Sequence, residues 1–167
     1  MPKRNKDAVA LSRGQLSEGH RACRENSQRL IADARILIEA GRYRAGYMTV
    51  LLASEELGKA VVMRLGLMTE RGGWKTWSEC RKNYYDHPTK HAAAILYYAE
   101  AAGRADEVDV LRRLDEAGRR VATFRERIMY VDFDGSSFYS PPSESEMEGA
   151  CRDELEFAEW LLRELSP

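Results

Sequence analysis

Apolar residues recur along most of this chain three or four residues apart, which is the spacing of an α-helix. Over residues 12–40 one helical face carries Leu30, Ile31, Ala34, Leu37 and Ile38. After an interruption at Gly41, a second stripe over residues 43–68 comprises Tyr43, Tyr47, Val50, Leu51, Leu57, Val61 and Leu65. Because the interruption is short, we expect two long helices that pack as antiparallel neighbours.

The rest of the chain continues the helical pattern and contains no convincing strand. The predicted elements are a short helix over 74–85, a helix opened by Pro88 that runs to about 102, a long helix over 106–131, a Gly/Ser/Pro-rich loop over 132–142 and a last helix to about 165. Ser143 followed by Glu146 has the form of a capping box at the start of the last helix. The sequence therefore predicts an all-α fold, an up-and-down bundle of four long helices plus a short one.

Composition indicates one domain. The 167 residues, 44% hydrophobic and 32% charged, suffice for a single core, and we expect a basic tail over 1–11 followed by one helical domain over 12–167. A net charge of −1 indicates neither a nucleic-acid nor a membrane partner by bulk charge. Residues 1–44 carry ten Lys/Arg against five Asp/Glu, and residues 144–164 carry two arginines against eight acids. This asymmetry is typical of two helix faces that attract each other.

Cysteine usage and hydropathy favour the cytosol. Cys23, Cys80 and Cys151 are widely separated and form no CxxC pair, so neither a zinc ribbon nor a disulfide framework is indicated. The chain has no apolar run of membrane-spanning length and no signal-peptide pattern. We therefore expect a cytoplasmic protein without a membrane partner.

Gly58 lies in the middle of the second predicted helix, within the run Glu55-Glu56-Leu57-Gly58-Lys59. Glycine there costs on the order of 1 kcal/mol relative to alanine, so it indicates close approach by another helix or by a ligand. Glu55 and Lys59 have the spacing of a surface ion pair. Glu56 is the carboxylate expected to point inward, where it needs a partner. The run fits either a helix-packing motif or a functional polar cluster.

Two histidines occur where Pro88 opens a helix, in His87-Pro88-Thr89-Lys90-His91. His87 is expected near the free backbone N–H groups of the helix start, which favour anions. The two histidines are not clearly on one helix and have no evident third ligand, so no metal site is predicted. His91 is interpreted as a capping or core residue, and His87 as a functional candidate.

The run Arg127-Ile-Met-Tyr-Val-Asp132 ends a predicted helix in an unusual way. One interpretation is a structural clamp in which Arg127 pairs with Asp132. The other is that Arg127 binds a phosphate in its planar fork, with Asp132 orienting a histidine or lysine and Tyr130 supplying a donor. Arg125 is the competing arginine, because it lies nearer the apolar stripe.

These segments together resemble a known family. The ordered set Ala40-Gly-Arg-Tyr43, Glu55-Glu-Leu-Gly-Lys59, His87-x-x-Lys90 and Arg127-x-x-Tyr130-Val-Asp132 resembles the AbiV family of abortive-infection proteins over about residues 15–165. That family belongs to the HEPN superfamily of helical bundles. The resemblance implies a dimerising bundle with an anti-phage role and, as in many HEPN proteins, metal-independent RNA cleavage.

The usual HEPN motif is an arginine, a short spacer and a histidine. Arg127 matches the arginine, whereas Asp132 stands at the histidine position, as the Tyr-Val-Asp form of AbiV-like proteins implies. If catalysis is retained, His87 or Lys90 would supply the missing proton-transfer group. A homodimer is expected from the resemblance, and tyrosines beyond the needs of a small core agree with it: Tyr84, Tyr85, Tyr97 and Tyr98.

Two functional hypotheses follow. The first is a cytoplasmic, homodimeric endoribonuclease toxin that aborts phage infection and acts on RNA without metal or cofactor. The partners expected for such a toxin are a phage protein or an antitoxin, and the sequence identifies neither. Its site would comprise His87 as acid and base, Arg127 and Lys90 as phosphate clamps, Asp132 and Glu56 as orienting groups, and Glu55, Lys59 and Tyr130 in support. The second is a noncatalytic module that binds a phage protein, a nucleotide or a component of translation.

Overall fold

The computed structural model describes residues 11–68, 90, 92–95, 97, 101, 124–125, 127–128, 132–133 and 136–166. Three long helices dominate this part of the chain: α1 (Arg13–Glu39), α2 (Tyr43–Met68) and a C-terminal helix (Glu144–Glu164). Residues 90, 92–95, 97 and 101 are also helical and are called the Lys90 segment, and residues 124–125 and 127–128 are helical and are called the Arg125 segment. The prediction of an all-α fold is confirmed.

Local sequence signals set both ends of α1. At its start the Ser12 hydroxyl accepts from the Gln15 backbone N–H, and the Gln15 side chain accepts from the Ser12 backbone N–H, forming a capping box. At its end Gly41 adopts a positive φ of 69°. The N–H groups of Gly41 and Arg42 then bond back to Ile38 and Leu37, which is the Schellman arrangement. The predicted break at Gly41 is confirmed.

The short connection makes α1 and α2 antiparallel neighbours, as predicted. The start of α1 meets the end of α2, where Leu16 packs with Val62 and Met63. At the other end a Cβ added to Gly46 would lie 2.9 Å from a side-chain carbon of Ile38. Since that distance is below ordinary van der Waals contact, the two helices approach closely there.

The second helix is the central element of the described core. Its buried residues surround most of its circumference rather than forming one stripe, and they include Val50, Leu51, Ala53, Leu57, Ala60, Val61, Val62 and Met63. The stripe predicted for this helix is therefore too narrow, and its last member, Leu65, is 40% exposed. A helix covered on several sides does not show a simple amphipathic period.

The C-terminal helix begins at the predicted capping box. The Ser143 hydroxyl accepts from the Glu146 backbone N–H, and the Glu146 carboxylate accepts from the Ser143 N–H at 2.8 Å. The helical spacing of its apolar residues predicts an inward face of Met147, Ala150, Cys151, Ala158, Leu161, Leu162 and Leu165. Five of these seven residues are buried: Met147, Cys151, Ala158, Leu161 and Leu165. Ala150 and Leu162 are only partly buried.

Charge complementarity joins the C-terminal helix to its neighbours. Arg35 of α1 lies 2.8 Å from Glu159, and Arg44 of α2 lies 3.0 Å from Glu144. Glu144 also accepts from the Arg44 backbone N–H at 2.8 Å, and this bond is the main reason why its pKa is lowered. Both pairs are substantially exposed, so each adds no more than about 1 kcal/mol. The basic and acidic helices attract each other, as the charge asymmetry indicated.

The segment predicted as a loop contains a small ladder. β1 (Asp132–Phe133) and β2 (Phe138–Tyr139) pair antiparallel, with Asp132 opposite Tyr139 and Phe133 opposite Phe138. Strands of two residues give too little periodic pattern to predict, which explains their absence from the sequence interpretation. None of the described helices combines the length and apolarity that crossing a membrane requires.

Candidate functional site

The site begins at Gly58, where the Lys90 segment crosses α2. A Cβ added to Gly58 would lie 2.1 Å from the Lys90 carbonyl oxygen and 2.7 Å from its carbonyl carbon. Only glycine permits a backbone to approach that closely. The close approach predicted from a mid-helix glycine is confirmed, and the approaching group is another helix.

This crossing places Lys90 against Glu55, which precedes Gly58 by three residues and so shares its helix face. The Lys90 Nζ lies 2.8 Å from the Glu55 Oε2, with side chains only 4% and 6% exposed. The other carboxylate oxygen, Oε1, lies 3.4 Å from Nη1 of Arg125, whose side chain is 33% exposed. Among the described residues, one buried carboxylate is thus shared by two cations. Glu55, Lys90 and Arg125 are called the Glu55 cluster below.

The Glu55 cluster is held at a free-energy cost that helix packing must offset. Removing a carboxylate and an ammonium from water costs several kcal/mol per ion, and their attraction repays this only with good geometry. The short Lys90 bond provides that geometry, whereas the longer Arg125 contact, closer to water, is weaker. A buried pair of this kind is therefore weak evidence for added stability, and its geometry constrains how the three helical segments are placed.

The structure corrects the pairing expected for the Glu-Glu-Leu-Gly-Lys run. Glu55, not Glu56, is the buried carboxylate, and it does not pair with Lys59 in the way that the i, i+4 spacing suggested. Lys59 instead pairs with Glu56, and both side chains remain partly accessible. Helical phase is the reason, because Glu55 follows the buried Leu51 by one turn whereas Glu56 follows the exposed Leu52.

The Arg125 segment is oriented by its apolar neighbours. Phe124 packs edge-on against Tyr47 of α2, with ring centroids 5.6 Å apart, and Ile128 is buried in the same cluster. Residues 124 and 128 are one turn apart, so they fix the rotation of the segment. That rotation directs Arg125 toward Glu55 and leaves Arg127 exposed.

The arginine that reaches the buried cluster is therefore Arg125, which sequence analysis treated as the competitor of Arg127. The Lys90 ammonium is already bound to the Glu55 carboxylate, which argues against its predicted role as a phosphate clamp. Asp132 lies in β1 by its backbone, and its side chain is outside the described part of the structure. His87, His91 and Tyr130 lie outside the described residues, so their assigned roles stay predictions.

A second polar contact lies on another side of the same helix turn. The Ser54 hydroxyl, fully buried, donates to Oε1 of Glu154 on the C-terminal helix at 2.6 Å. The sequence pattern did not predict this pair. The sequence did carry one signal, three consecutive polar residues, 54–56, inside an apolar helix. Because consecutive helical side chains point 100° apart, these three residues must face different neighbours.

Two ionisable side chains beside this contact remain neutral. Burial, followed by the negative charge of Glu154, raises the pKa of Tyr47 well above its ordinary value. Burial also raises the pKa of the Cys151 thiol to about 11. Because the thiolate is the reactive form, Cys151 behaves as an apolar core residue rather than as a nucleophile.

Neighbouring arginines form a shallow groove near the start of α2. The groove has a volume of about 390 Å³ and is lined by Arg42, Arg44, Ala45, Met48, Ile128 and Glu144. Arg127 adjoins it in sequence through Ile128. Within the described ranges, no three His, Cys, Asp or Glu side chains lie close enough together to hold a metal ion.

The fold and the site define a helical-bundle protein whose helices are fixed by a buried carboxylate shared between two cations. Comparison with known families specifies this class further, because the model of the family described as HEPN_AbiV (AbiV) matches residues 15–163. The chain belongs to this AbiV family of abortive-infection proteins, within the HEPN superfamily. No curated protein and no solved structure matches the chain significantly.

Proposed function

We propose that this protein acts in abortive infection as a metal-independent endoribonuclease in the cytosol, with Arg127 binding an RNA phosphate and the Glu55 cluster holding the site in place. The supporting observation is the contrast between two arginines on one helical segment. Arg125 is anchored on a buried carboxylate, whereas Arg127 is exposed. An anchored segment presents its exposed cation in a fixed position, which is what phosphate recognition requires.

Charge near Arg127 supports an anionic ligand. The Glu55 cluster carries one carboxylate and two cations, and the groove beside Ile128 carries Arg42 and Arg44 against Glu144. Among the described residues that line the groove, the cations outnumber the carboxylates. Several cations spaced along a groove suit a single strand of RNA, because consecutive phosphates can each meet a basic side chain.

The proposed reaction needs no metal. The 2′-oxygen attacks the adjacent phosphorus and forms a 2′,3′-cyclic phosphate, while the bond from phosphorus to the 5′-oxygen breaks. A base takes the 2′-hydroxyl proton, and an acid returns a proton to the leaving 5′-oxygen. We assign proton transfer to His87 and stabilisation of the negative phosphorane to Arg127.

The remaining candidates take supporting roles in this proposal. Lys90 is 3% exposed and bound to Glu55, so we assign it to positioning the helix that follows His87 rather than to contact with phosphate. Glu56 and Lys59 pair with each other on the face of α2 next to that of Glu55, where their opposite charges balance. Asp132 and Tyr130 are proposed to orient groups at the end of the Arg125 segment.

A noncatalytic interaction module is the second candidate, and the burial of Lys90 favours it. With that ammonium occupied by Glu55, the exposed Arg127 and the neighbouring groove could serve to bind a phage protein or a component of translation instead. The two functions differ in one measurable outcome. A module would be toxic or protective while leaving RNA intact, whereas a nuclease would leave fragments with cyclic phosphate ends.

Arg127→Ala is expected to abolish RNA cleavage and phage protection, with at least about a 10²-fold loss in rate, because it removes a fixed cation from the developing charge. Since Arg127 is exposed, the melting temperature should change little. The measurement pairs total cellular RNA after induced expression with circular dichroism melting. Arg29→Ala, an equally exposed arginine on α1, is the matched control and should retain activity. A folded Arg127→Ala protein with full activity, or activity lost on adding EDTA, would contradict the proposal.

We also propose a homodimer, on the basis of the family. Of the tyrosines expected at the dimer interface, Tyr97 forms a contact within the chain, where its hydroxyl donates to the Glu164 carbonyl at 3.3 Å. Exposed aliphatic residues on the described helices provide other contact surface: Ile36, Leu52 and Leu65. Light scattering at micromolar concentration should give twice the chain mass of 19.1 kDa. A mass of one chain would refute the dimer.

A further inference from the structure

A group of basic side chains surrounds the end of the C-terminal helix, away from the Glu55 cluster. His20 and Arg24 reach it from α1 and Arg64 from α2. Arg64 is nine residues beyond Glu55 in the same helix, which places the two sites roughly 14 Å apart along its axis. The group is therefore a separate feature of the bundle.

Two of these side chains have contacts that a structural role explains. Nη1 of Arg64 donates to the Glu164 carbonyl at 3.3 Å, and its guanidinium lies 5.5 Å from the centre of the Tyr97 ring. Nη2 of Arg24 donates to the Ser166 hydroxyl at 2.9 Å. Cations at a helix C-terminus satisfy its last carbonyls and its dipole, so part of this arrangement is a helix cap.

Two other atoms are not explained by capping. Nδ1 of His20 and Nε of Arg24 are buried without a hydrogen-bond partner, and they are the only such side-chain nitrogen or oxygen atoms among the described residues. They belong to residues four apart on one face of α1. Because an unsatisfied buried polar atom is costly, a bound group that formed hydrogen bonds with both atoms would be favourable here.

The charge around these atoms identifies what the partner must be. Burial lowers the pKa of His20, and the positive charges of Arg24 and Arg64 lower it further. No carboxylate in the described part of the chain forms an ion pair with either arginine. Among the residues that the structure describes, the site thus holds two guanidiniums with an imidazole and a hydroxyl, and no carboxylate is paired with them.

We propose that His20, Arg24 and Arg64 form a binding site for a phosphate group, with Ser166 at its edge. A phosphate carries oxygens in several directions and can accept from donors on three helices at once, whereas a carboxylate offers two oxygens in one plane. The guanidinium forks supply charge and direction, and the buried Nε of Arg24 supplies a donor without a present acceptor. The source of the phosphate is either a free nucleotide or the end of an RNA strand.

The imidazole of His20 provides a direct probe, observed by NMR and assigned with His20→Gln. Titration with inorganic phosphate, adenosine monophosphate and a 5′-phosphorylated oligonucleotide should shift the His20 signals saturably, and the strongest of the three identifies the source. Arg24→Gln and Arg64→Gln should each weaken binding at least about tenfold. Arg24→Lys keeps the charge but lacks the Nε–H, so it should also weaken binding if the fork is used.

The matched control is Arg21→Gln, which removes one positive charge from the same helix at an exposed side chain paired with Glu25. It should leave phosphate binding unchanged. Absence of any His20 shift at millimolar phosphate would show that the two orphan atoms hold water only, and equal binding of acetate or an equal effect of Arg21→Gln would overturn a specific phosphate site. These results are independent of whether Arg127 supports RNA cleavage.

Discussion

Gly58→Ala is expected to lower the free energy of unfolding by about 3 kcal/mol or more. The new methyl group would lie 2.1 Å from the Lys90 carbonyl oxygen, and its neighbours there are backbone atoms that no rotamer change can move aside. The Lys90 segment would have to move away from α2, and this displacement would separate Lys90 from Glu55. Its cost in stability should reach at least about 3 kcal/mol, the upper value for an overpacked core. Helix propensity alone would favour alanine by about 1 kcal/mol. A loss of stability instead of a gain would therefore show that the close contact outweighs helix propensity.

Urea unfolding of this variant should be compared with Gly149→Ala. Gly149 is also inside a helix, but an added Cβ there meets nothing within 4 Å. That control should gain about 0.5–1 kcal/mol, since alanine restricts the unfolded chain and strains nothing. A Gly58→Ala protein as stable as the wild type would mean that the Lys90 segment does not lie on this glycine.

The second large effect is expected from separating the two charges of the Glu55 cluster. Glu55→Leu leaves the Lys90 ammonium buried without its carboxylate, and Lys90→Met leaves the carboxylate without its main partner. Each single change should cost about 3–5 kcal/mol. The double variant should cost less than either single change, because two apolar side chains of similar volume need no counter-charge. Denaturant unfolding of the four proteins gives the coupling free energy directly.

A surface pair provides the matched cycle. Arg35 and Glu159 lie as close together as Lys90 and Glu55, 2.8 Å in both cases, but their side chains are 57% and 24% exposed. Arg35→Met with Glu159→Leu should therefore show a coupling below about 1 kcal/mol. Additive costs in the Glu55 and Lys90 cycle, or an equal coupling in both cycles, would refute a buried pair. If Glu55→Leu/Lys90→Met is stable yet loses RNA cleavage, the charges serve the site rather than the fold.

The sequence by itself determined where α1 begins and ends and where the C-terminal helix begins. Ser12 with Gln15, Gly41, and Ser143 with Glu146 act within a few residues of chain, so their hydrogen bonds form wherever the segment is placed. The apolar period of 3.6 residues likewise identified the inward faces of α1 and of the C-terminal helix, because each of these helices has a solvent-facing side. Gly58 indicated a close approach for a similar reason, because the free-energy cost of a glycine inside a helix can be judged from the local sequence.

Only the tertiary structure decided which polar residues meet. In α2 the residues 54–56 are all polar. Because consecutive side chains of a helix point 100° apart, each of the three faces a different neighbour. The spacing of apolar residues therefore does not identify Glu55 as the buried carboxylate. Its partners come from segments 35 and 70 residues away. Arg125 rather than Arg127 reaches it because Phe124 and Ile128 fix the rotation of their segment against α2. Contacts of this kind depend on where one helix crosses another, and that position follows from packing across the bundle rather than from any local pattern.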